Sequence, residues 1–443
     1  MFSFRLNGVG TGQNVFCFNV PSPEALLIGL TVKKMAKIQA IKNKLFLVKA
    51  RDLWGFVLIL LALFPALILK SRHKKIWLFC ERHEEARDNA FALFRYVQEE
   101  VPTVAAYYAI DFTSKDYKKV APYGKHAIRF GSFRHYLYYL ACDANVSSVK
   151  NCGPNNLVGF VFRKLNLMNN KVCFLQHGTI MNRLDWLFYP ETKMRVFCCS
   201  AVPEFEFVRD HFGYPEDNLI YNGGQARFDN FYLPSTTNLG DYLLVMPTWR
   251  MWLKPGDPHL EEIEGTTDFT KTNYFQHWTS FLNSPELERF LEQARLRLIF
   301  YPHPTMQEYV ANFKSKNQWV TIAKEEEWDL PELVKNAKAL VTDYTSVYFD
   351  FVYTGKQVYS YQFDIAQFTK HHYATGYLPY TDNPFLIACP TEQSLLTALE
   401  NGAKDDFSPS QEFMQERDRF FPTRDNHNCE RIYQNIYDKI YES

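Results

Sequence analysis

Charge of a single sign is what this 443-residue chain lacks: 49 basic and 49 acidic side chains leave a formal net charge of zero. That balance excludes global electrostatic attraction to nucleic acid. No C-x-x-C pair occurs. The nine cysteines (Cys17, Cys80, Cys142, Cys152, Cys173, Cys198, Cys199, Cys389 and Cys429) are odd in number and scattered. Several sit in apolar runs such as Val172-Cys173-Phe174-Leu175, so they read as reduced small hydrophobes of a cytosolic protein, not as a disulfide or zinc framework. Residues 1–20 lack the basic start, apolar run and small-residue cleavage site of a secretory signal. The Gly8-Val9-Gly10-Thr11-Gly12 run is followed by no helix pattern at the offset a dinucleotide fingerprint needs. No D-x-D pair stands at a strand end to chelate a metal for a diphosphate.

The overall balance hides a local excess. From Thr31 to Lys75 eleven lysines and arginines face one acid, Asp52. Met35, Ile38, Ile41, Leu45 and Val48 recur at helical spacing with lysines between them, the pattern of a basic amphipathic helix on an anionic membrane surface. Leu53 to Leu69 is a continuous apolar run broken only by Gly55 and Pro65. As a helix its 17 residues would reach about 26 Å, marginal against a bilayer core of about 30 Å. Peripheral or monotopic attachment is the expectation; a buried core helix and a transmembrane span are the alternatives. Basic flanks on both sides disfavour spanning. Phe2–Leu6 and Asn14–Val20 pair as a hairpin on the same reading.

From Lys75 onward strands and helices alternate, which implies parallel sheets covered on both faces. One series runs from Ile76–Cys80 to Leu219–Tyr221. A second runs from Tyr242–Met246 through Leu296–Tyr301 and Ala339–Thr342 to Gln357–Tyr361. The fold class is therefore α/β, a pair of doubly wound Rossmann-like domains behind a basic, apolar membrane-associating region. The divisions fall at residues 1–74, 75–235, 236–400 and 401–443. The polar segment Leu233–Asp241 marks the central boundary, and the last segment is read as helical and packed back on the first domain.

Ligands in such folds sit at the carboxyl ends of strands. His177, after the strand Lys171–Leu175, is suited to act as a base near neutral pH, with Gly178 beside it to let the backbone turn. His303 follows the strand Leu296–Phe300 between two prolines, next to Tyr301. Thr248 and Arg250 follow Tyr242–Met246 and present a hydroxyl and a guanidinium, the latter suited to phosphate. Arg227 lies in the crossover between halves. Thr345 or Ser346 stands where a helix N-cap is wanted, after Ala339–Thr342, and a helix N-terminus attracts phosphate. A structural histidine, an ordinary cap and a surface ion pair remain the plain readings of each residue taken singly. Together these strand-end groups suit a nucleotide diphosphate in the cleft, its charge met by hydroxyls, Arg, His and helix dipole.

As a set, His177-Gly178-Thr179, Arg227-Phe228-Asp229, Pro247-Thr248-Trp249-Arg250, His303-Pro304 and Thr342-Asp343-Tyr344-Thr345-Ser346-Val347-Tyr348-Phe349-Asp350-Phe351 resemble the CDP-glycerol glycerophosphotransferases of teichoic-acid and capsule synthesis. Glu81-Arg82 and Ala86-Arg87-Asp88-Asn89 resemble that family's first-domain signature. The resemblance spans roughly residues 75–395. It implies a GT-B-like domain pair, metal-independent chemistry, a CDP-glycerol or other CDP-alditol donor, and CMP as leaving product. It implies His177 as the base that deprotonates the acceptor hydroxyl and His303 as the stabiliser of the transition state. Arg227, Pro247, Thr248, Arg250, Tyr301, Thr345, Ser346 and Asp350 are implied donor-site residues. The implied acceptor is lipid-linked or a growing polymer, at the cytoplasmic face of a bacterial membrane. A GT-B glycosyltransferase using a nucleotide sugar is the alternative. Gln176 departs from the Trp often found before the His-Gly pair, and the residues after Thr179 lack the lysines often seen there.

Overall fold

A computed structural model describes residues 49–72, 75–150, 153–164, 171–372 and 376–442. The expected hairpin over Phe2–Val20 and the basic amphipathic helix over Met35–Val48 lie outside the described residues.

The apolar run forms part of a longer helix, Ala50–Arg72, of 23 residues with Pro65 inside it. Its length is about 34 Å, and its mean hydropathy over an 18-residue window is 2.4. Among the described residues it is the one helix long and apolar enough to cross a membrane. Ile59, Ala62 and Ala66 form a buried stripe along it, while Leu60, Leu61, Phe64 and Leu67 are exposed.

The compact unit from Leu58 to Ser443 carries two sheets, parallel throughout. The first comprises β1 (Ile76–Cys80), β2 (Ala105–Ile110), β3 (Ala127–Arg129), β4 (Ala144–Ser147), β5 (Lys171–Phe174), β6 (Val196–Cys199) and β7 (Leu219–Tyr221), in the order β3-β2-β1-β4-β5-β6-β7. The second comprises β8 (Tyr242–Met246), β9 (Arg297–Phe300), β10 (Val320–Ile322), β11 (Ala339–Thr342), β12 (Val358–Tyr361) and β13 (Leu386–Cys389), in the order β10-β9-β8-β11-β12-β13. Strand order reverses between β1 and β4 and again between β8 and β11. Those two reversals open the crevices where doubly wound folds take ligands. The central strands are wholly buried, as helices on both faces require. The edge strands β10 and β13, which are missing from the two series read from the sequence, are partly exposed.

The segment 401–443 divides. Its last helix, Asn428–Tyr441, sets Cys429, Ile432, Ile436 and Ile440 into the first-sheet core beside Trp77 and Phe79. The preceding helix, Gln411–Phe420, instead gives Phe413 and Phe420 to the second-sheet core with Phe349 and Phe385.

Candidate active site

The site is built from strand ends. β1 runs out into Glu81-Arg82, and the buried Glu81 carboxylate accepts the backbone N–H groups of Arg87 (2.9 Å), Asp88 (3.0 Å) and Phe91 (2.8 Å). That clamp fixes the start of the Asn89–Glu100 helix and leaves the Asp88 side chain free to face β5. There Gln176 takes a left-handed conformation, φ 66°, uncommon for a residue with a Cβ and usually held in place by its surroundings. Its side-chain amide donates to the Cys198 carbonyl, and its own carbonyl accepts Asn89 Nδ2 at 3.0 Å. The sharp turn expected at Gly178 is therefore made two residues earlier, at Gln176. Gly178 serves a different need: a Cβ there would lie 2.9 Å from Ser346 Oγ, across the cleft in the second domain.

His177 Nδ1 is 2.5 Å from Asp88 Oδ2. A carboxylate at Nδ1 fixes the proton on that nitrogen and leaves Nε2 as a proton acceptor. The imidazole side chain is 60% exposed, whereas that of Asp88 is 6% exposed. The charge of Asp88 lifts the His177 pKa above its ordinary value. Burial works to raise the Asp88 carboxyl, but His177 and Arg227 outweigh it and hold it below the usual value. Arg227 Nη1 reaches Asp88 Oδ1 at 3.0 Å and the His177 carbonyl at 2.9 Å, and Arg227 Nη2 meets Asp350 Oδ1 at 2.7 Å. The Asp350–Arg227–Asp88–His177 chain thus runs from the second domain to the imidazole.

His303 is a different histidine. Its Nδ1 accepts the Thr305 N–H at 3.1 Å, which puts the proton on Nε2 and makes that atom a donor. Burial, with the charges of His177 and Arg82, pushes its pKa down to about 3, so it is neutral at physiological pH. Its backbone N–H is held by the Pro247 carbonyl at 3.2 Å.

The structure corrects three expectations. Arg250 does not face the cleft: it is fully buried, 2.9 Å from Asp343 Oδ2 and 2.7 Å from Asp364 Oδ2, with Tyr274, Tyr344 and Phe368 against its guanidinium. Its negative partners stand at the ends of β11 and β12, inside the domain. Asp343 in turn accepts the Thr248 N–H at 2.8 Å, so Arg250 positions the strand-end turns. Pro247 is buried and contributes its carbonyl to His303 rather than a contact surface. The helix expected to start at Thr345 or Ser346 spans Tyr348–Thr354, with Val347 at its cap. The N–H groups of Tyr348 and Phe349 close on the Thr345 and Ser346 carbonyls. The chain therefore tightens into one narrow turn before the helix proper, and both hydroxyls remain at the cleft.

Two cavities meet in this cleft. The larger, ≈ 490 Å³, extends over Gln176, Thr179, Trp186, Thr248, Trp249 and Lys254. The smaller, ≈ 150 Å³, is floored by Met246, Tyr301, Pro304, Leu330 and Val334 and rimmed by Arg227 and Asp350. Arg82, His177, Gly178, His303, Thr345 and Ser346 line both. The Tyr301 hydroxyl is buried there without a hydrogen-bond partner, and a buried polar group of that kind calls for a ligand or water. Asp88 and Arg82 carry no assignment in the sequence reading. Both stand in the segments that resemble the family's first-domain signature, but an acid just ahead of a helix also resembles an ordinary cap, and the role of Asp88 shows only in its contact with His177.

Residues 61–196 and 205–438 match the sequence profile described as CDP-Glycerol:Poly(glycerophosphate) glycerophosphotransferase. The minor teichoic acid biosynthesis protein GgaB of Bacillus subtilis (strain 168) is 29% identical over 369 residues, covering 82% of this chain and 40% of GgaB. The chain thus spans less than half the length of that relative. Among solved structures, the wall teichoic acid polymerase TagF superposes with a TM-score of 0.61 at 16% identity, covering 93% of this chain and 98% of that one. A substituted TagF soaked with CDPG gives 0.57 at 17%, covering 84% and 91%. The S. aureus MnaA–UDP complex gives 0.51 at 11%, covering 82% and 96%. These structural likenesses establish the two-domain GT-B-like architecture.

Proposed function

The chain belongs to the CDP-glycerol:poly(glycerophosphate) glycerophosphotransferase family, and from that premise we propose that it moves glycerol phosphate, or a related alditol phosphate, from a CDP-alditol to an acceptor hydroxyl. One observation carries the reading: the two cavities share a wall made of His177, His303, Thr345 and Ser346. The smaller chamber, with an apolar floor and the unpartnered Tyr301 hydroxyl, takes the cytidine end of the donor. The larger takes the acceptor. The reacting phosphorus sits at the shared wall.

The chemistry follows from the protonation states. His177 Nε2 accepts the acceptor's hydroxyl proton as the oxygen attacks the phosphorus that bears the alditol. The bond from that phosphorus to the bridging oxygen breaks, and CMP leaves with the electron pair. Neutral His303 donates Nε2–H to phosphate oxygen, and the Thr345 and Ser346 hydroxyls add donors without adding charge. No step is assigned to a divalent ion, because no D-x-D pair stands at a strand end. Millimolar EDTA is therefore expected to leave CMP release unchanged, and a loss restored by Mg²⁺ would count against the scheme.

Asp88 gives a pH test. A raised His177 pKa keeps the base protonated to higher pH, so the acid limb of the rate profile lies above the ordinary imidazole value. In an Asp88→Asn variant that limb is expected to move to lower pH while kcat falls about 100-fold. An unmoved limb would contradict the pairing.

The larger chamber is lined by Lys150 and Lys254 and, among the described residues, by no carboxylate. That charge suits an anionic acceptor such as a lipid-linked or polymeric phosphodiester. A Lys254→Glu variant is expected to raise the KM for such an acceptor roughly tenfold and to leave the KM for CDP-glycerol unchanged. A shift in the donor KM alone would reverse the chamber assignment. The exposed apolar side of the Ala50–Arg72 helix, with its basic flanks, suits attachment to an anionic membrane surface where a lipid-linked acceptor resides.

A further inference from the structure

We infer that Arg82 is a catalytic residue whose guanidinium neutralises the non-bridging oxygens of the phosphoryl group during transfer. The inference rests on the transfer reaction proposed above. In that step the acceptor oxygen bonds to phosphorus, its proton goes to His177 Nε2, and the bond to the CMP oxygen breaks with its electron pair. Negative charge spreads over the non-bridging oxygens as this happens, and a positioned cation lowers the barrier.

The other arginines near the cleft are committed elsewhere. Arg250 is fully buried between Asp343 and Asp364. The Arg227 side chain is 15% exposed and lies between Asp88 and Asp350. Arg87 is 12% exposed, 2.7 Å from Asp116 and 3.1 Å from Glu325. Each meets two carboxylates at charge-assisted hydrogen-bond distance or close to it.

Arg82 differs in every respect. It follows β1 directly, at the strand-order reversal of the first sheet. Its side chain is 47% exposed, and its ion pair to Glu85 is long, at 3.5 Å. Burial raises the Glu85 pKa, which loosens that carboxylate's hold further. Arg82 borders both chambers alongside His177, His303, Thr345 and Ser346. Its charge bears on both histidines: it works against the rise that Asp88 gives His177 and adds to the fall that burial gives His303. A partly exposed, weakly paired guanidinium beside the proton acceptor and the neutral donor is placed for the group that passes between them.

The test uses the full chain with CDP-glycerol and a lipid-linked acceptor, reading CMP release. Arg82→Ala is expected to lower kcat about 100- to 1,000-fold, with the CDP-glycerol KM changed less than about threefold. Arg82→Lys should recover part of the loss, since it restores charge but not the planar fork. Added guanidinium chloride, at concentrations that leave the wild type unaffected, should rescue Arg82→Ala. Thermal melting should match the wild type because the side chain is exposed. An active wild type with an Arg82→Ala variant of equal kcat would overturn the role of Arg82 alone. So would a loss of rate that neither Lys nor guanidinium repairs. A wild type that releases no CMP would overturn the transfer reading together with it.

Discussion

A His177→Ala variant is expected to bind CDP-glycerol as the wild type does and to lose about 1,000-fold or more of its turnover. Two features of the geometry set that size. The first is commitment: Nδ1 faces Asp88 Oδ2 at 2.5 Å, so Nε2 is the ring atom that can take a proton. The second is access: the side chain is 60% exposed and lines both chambers, so an acceptor hydroxyl can approach it. Removal also abolishes the acid limb of the pH–rate profile. His303→Ala should lower turnover with no such change, because a group with a pKa of about 3 does not titrate where the enzyme works. Single-turnover CMP release across pH 5–9 would separate the two. Turnover of His177→Ala within tenfold of wild type would remove the base from the scheme.

The second large effect is on stability. An Arg250→Met variant is expected to destabilise the second domain by about 3–5 kcal/mol, the usual cost of leaving a buried charge without its partner. Two carboxylates depend on this one guanidinium. Burial already raises the Asp343 carboxyl, and Arg250 is the first influence that opposes it. Without the arginine, Asp343 would have to protonate or admit water. It also accepts the N–H groups of Thr248 and Tyr344, so the turns after β8 and β11 would loosen together. Replacing Arg250, Asp343 and Asp364 together with neutral residues of similar size should recover part of the loss. Denaturant midpoints of the single and triple variants measure this directly. A single variant as stable as wild type would show that the cluster contributes no net stability.

The alternating strand–helix texture was legible because the central strands are buried on both faces and read as unbroken apolar runs, such as Tyr242–Met246. The edges were not. Val320–Ile322 is partly exposed and interrupted by Thr321, and Leu386–Cys389, although apolar throughout, is only four residues long and partly exposed. At the site, His177, His303 and the Thr345-Ser346 pair could be placed by position alone, since each directly follows a strand. Which way a side chain turns is a different matter. Arg250 follows a strand as Thr248 does, yet its carboxylate partners lie inward, and nothing local announces them. Asp88 had the opposite problem: its partner is 89 residues away, so its place beside His177 emerges only once β5 is laid near β1 with β4 between them. The left-handed Gln176 was equally hidden, because a Gln carries none of glycine's conformational signature.

One assay bears on the central claim most directly. The chain is incubated with a defined lipid-linked acceptor and, separately, with CDP-glycerol, CDP-ribitol and UDP-sugars; free nucleotide is quantified and the acceptor is weighed by mass spectrometry. The account predicts CMP release matched by an acceptor mass gain of one or more alditol-phosphate units, with a CDP-alditol only. UDP release with a gain of sugar mass would contradict it and assign the cleft to glycosyl transfer.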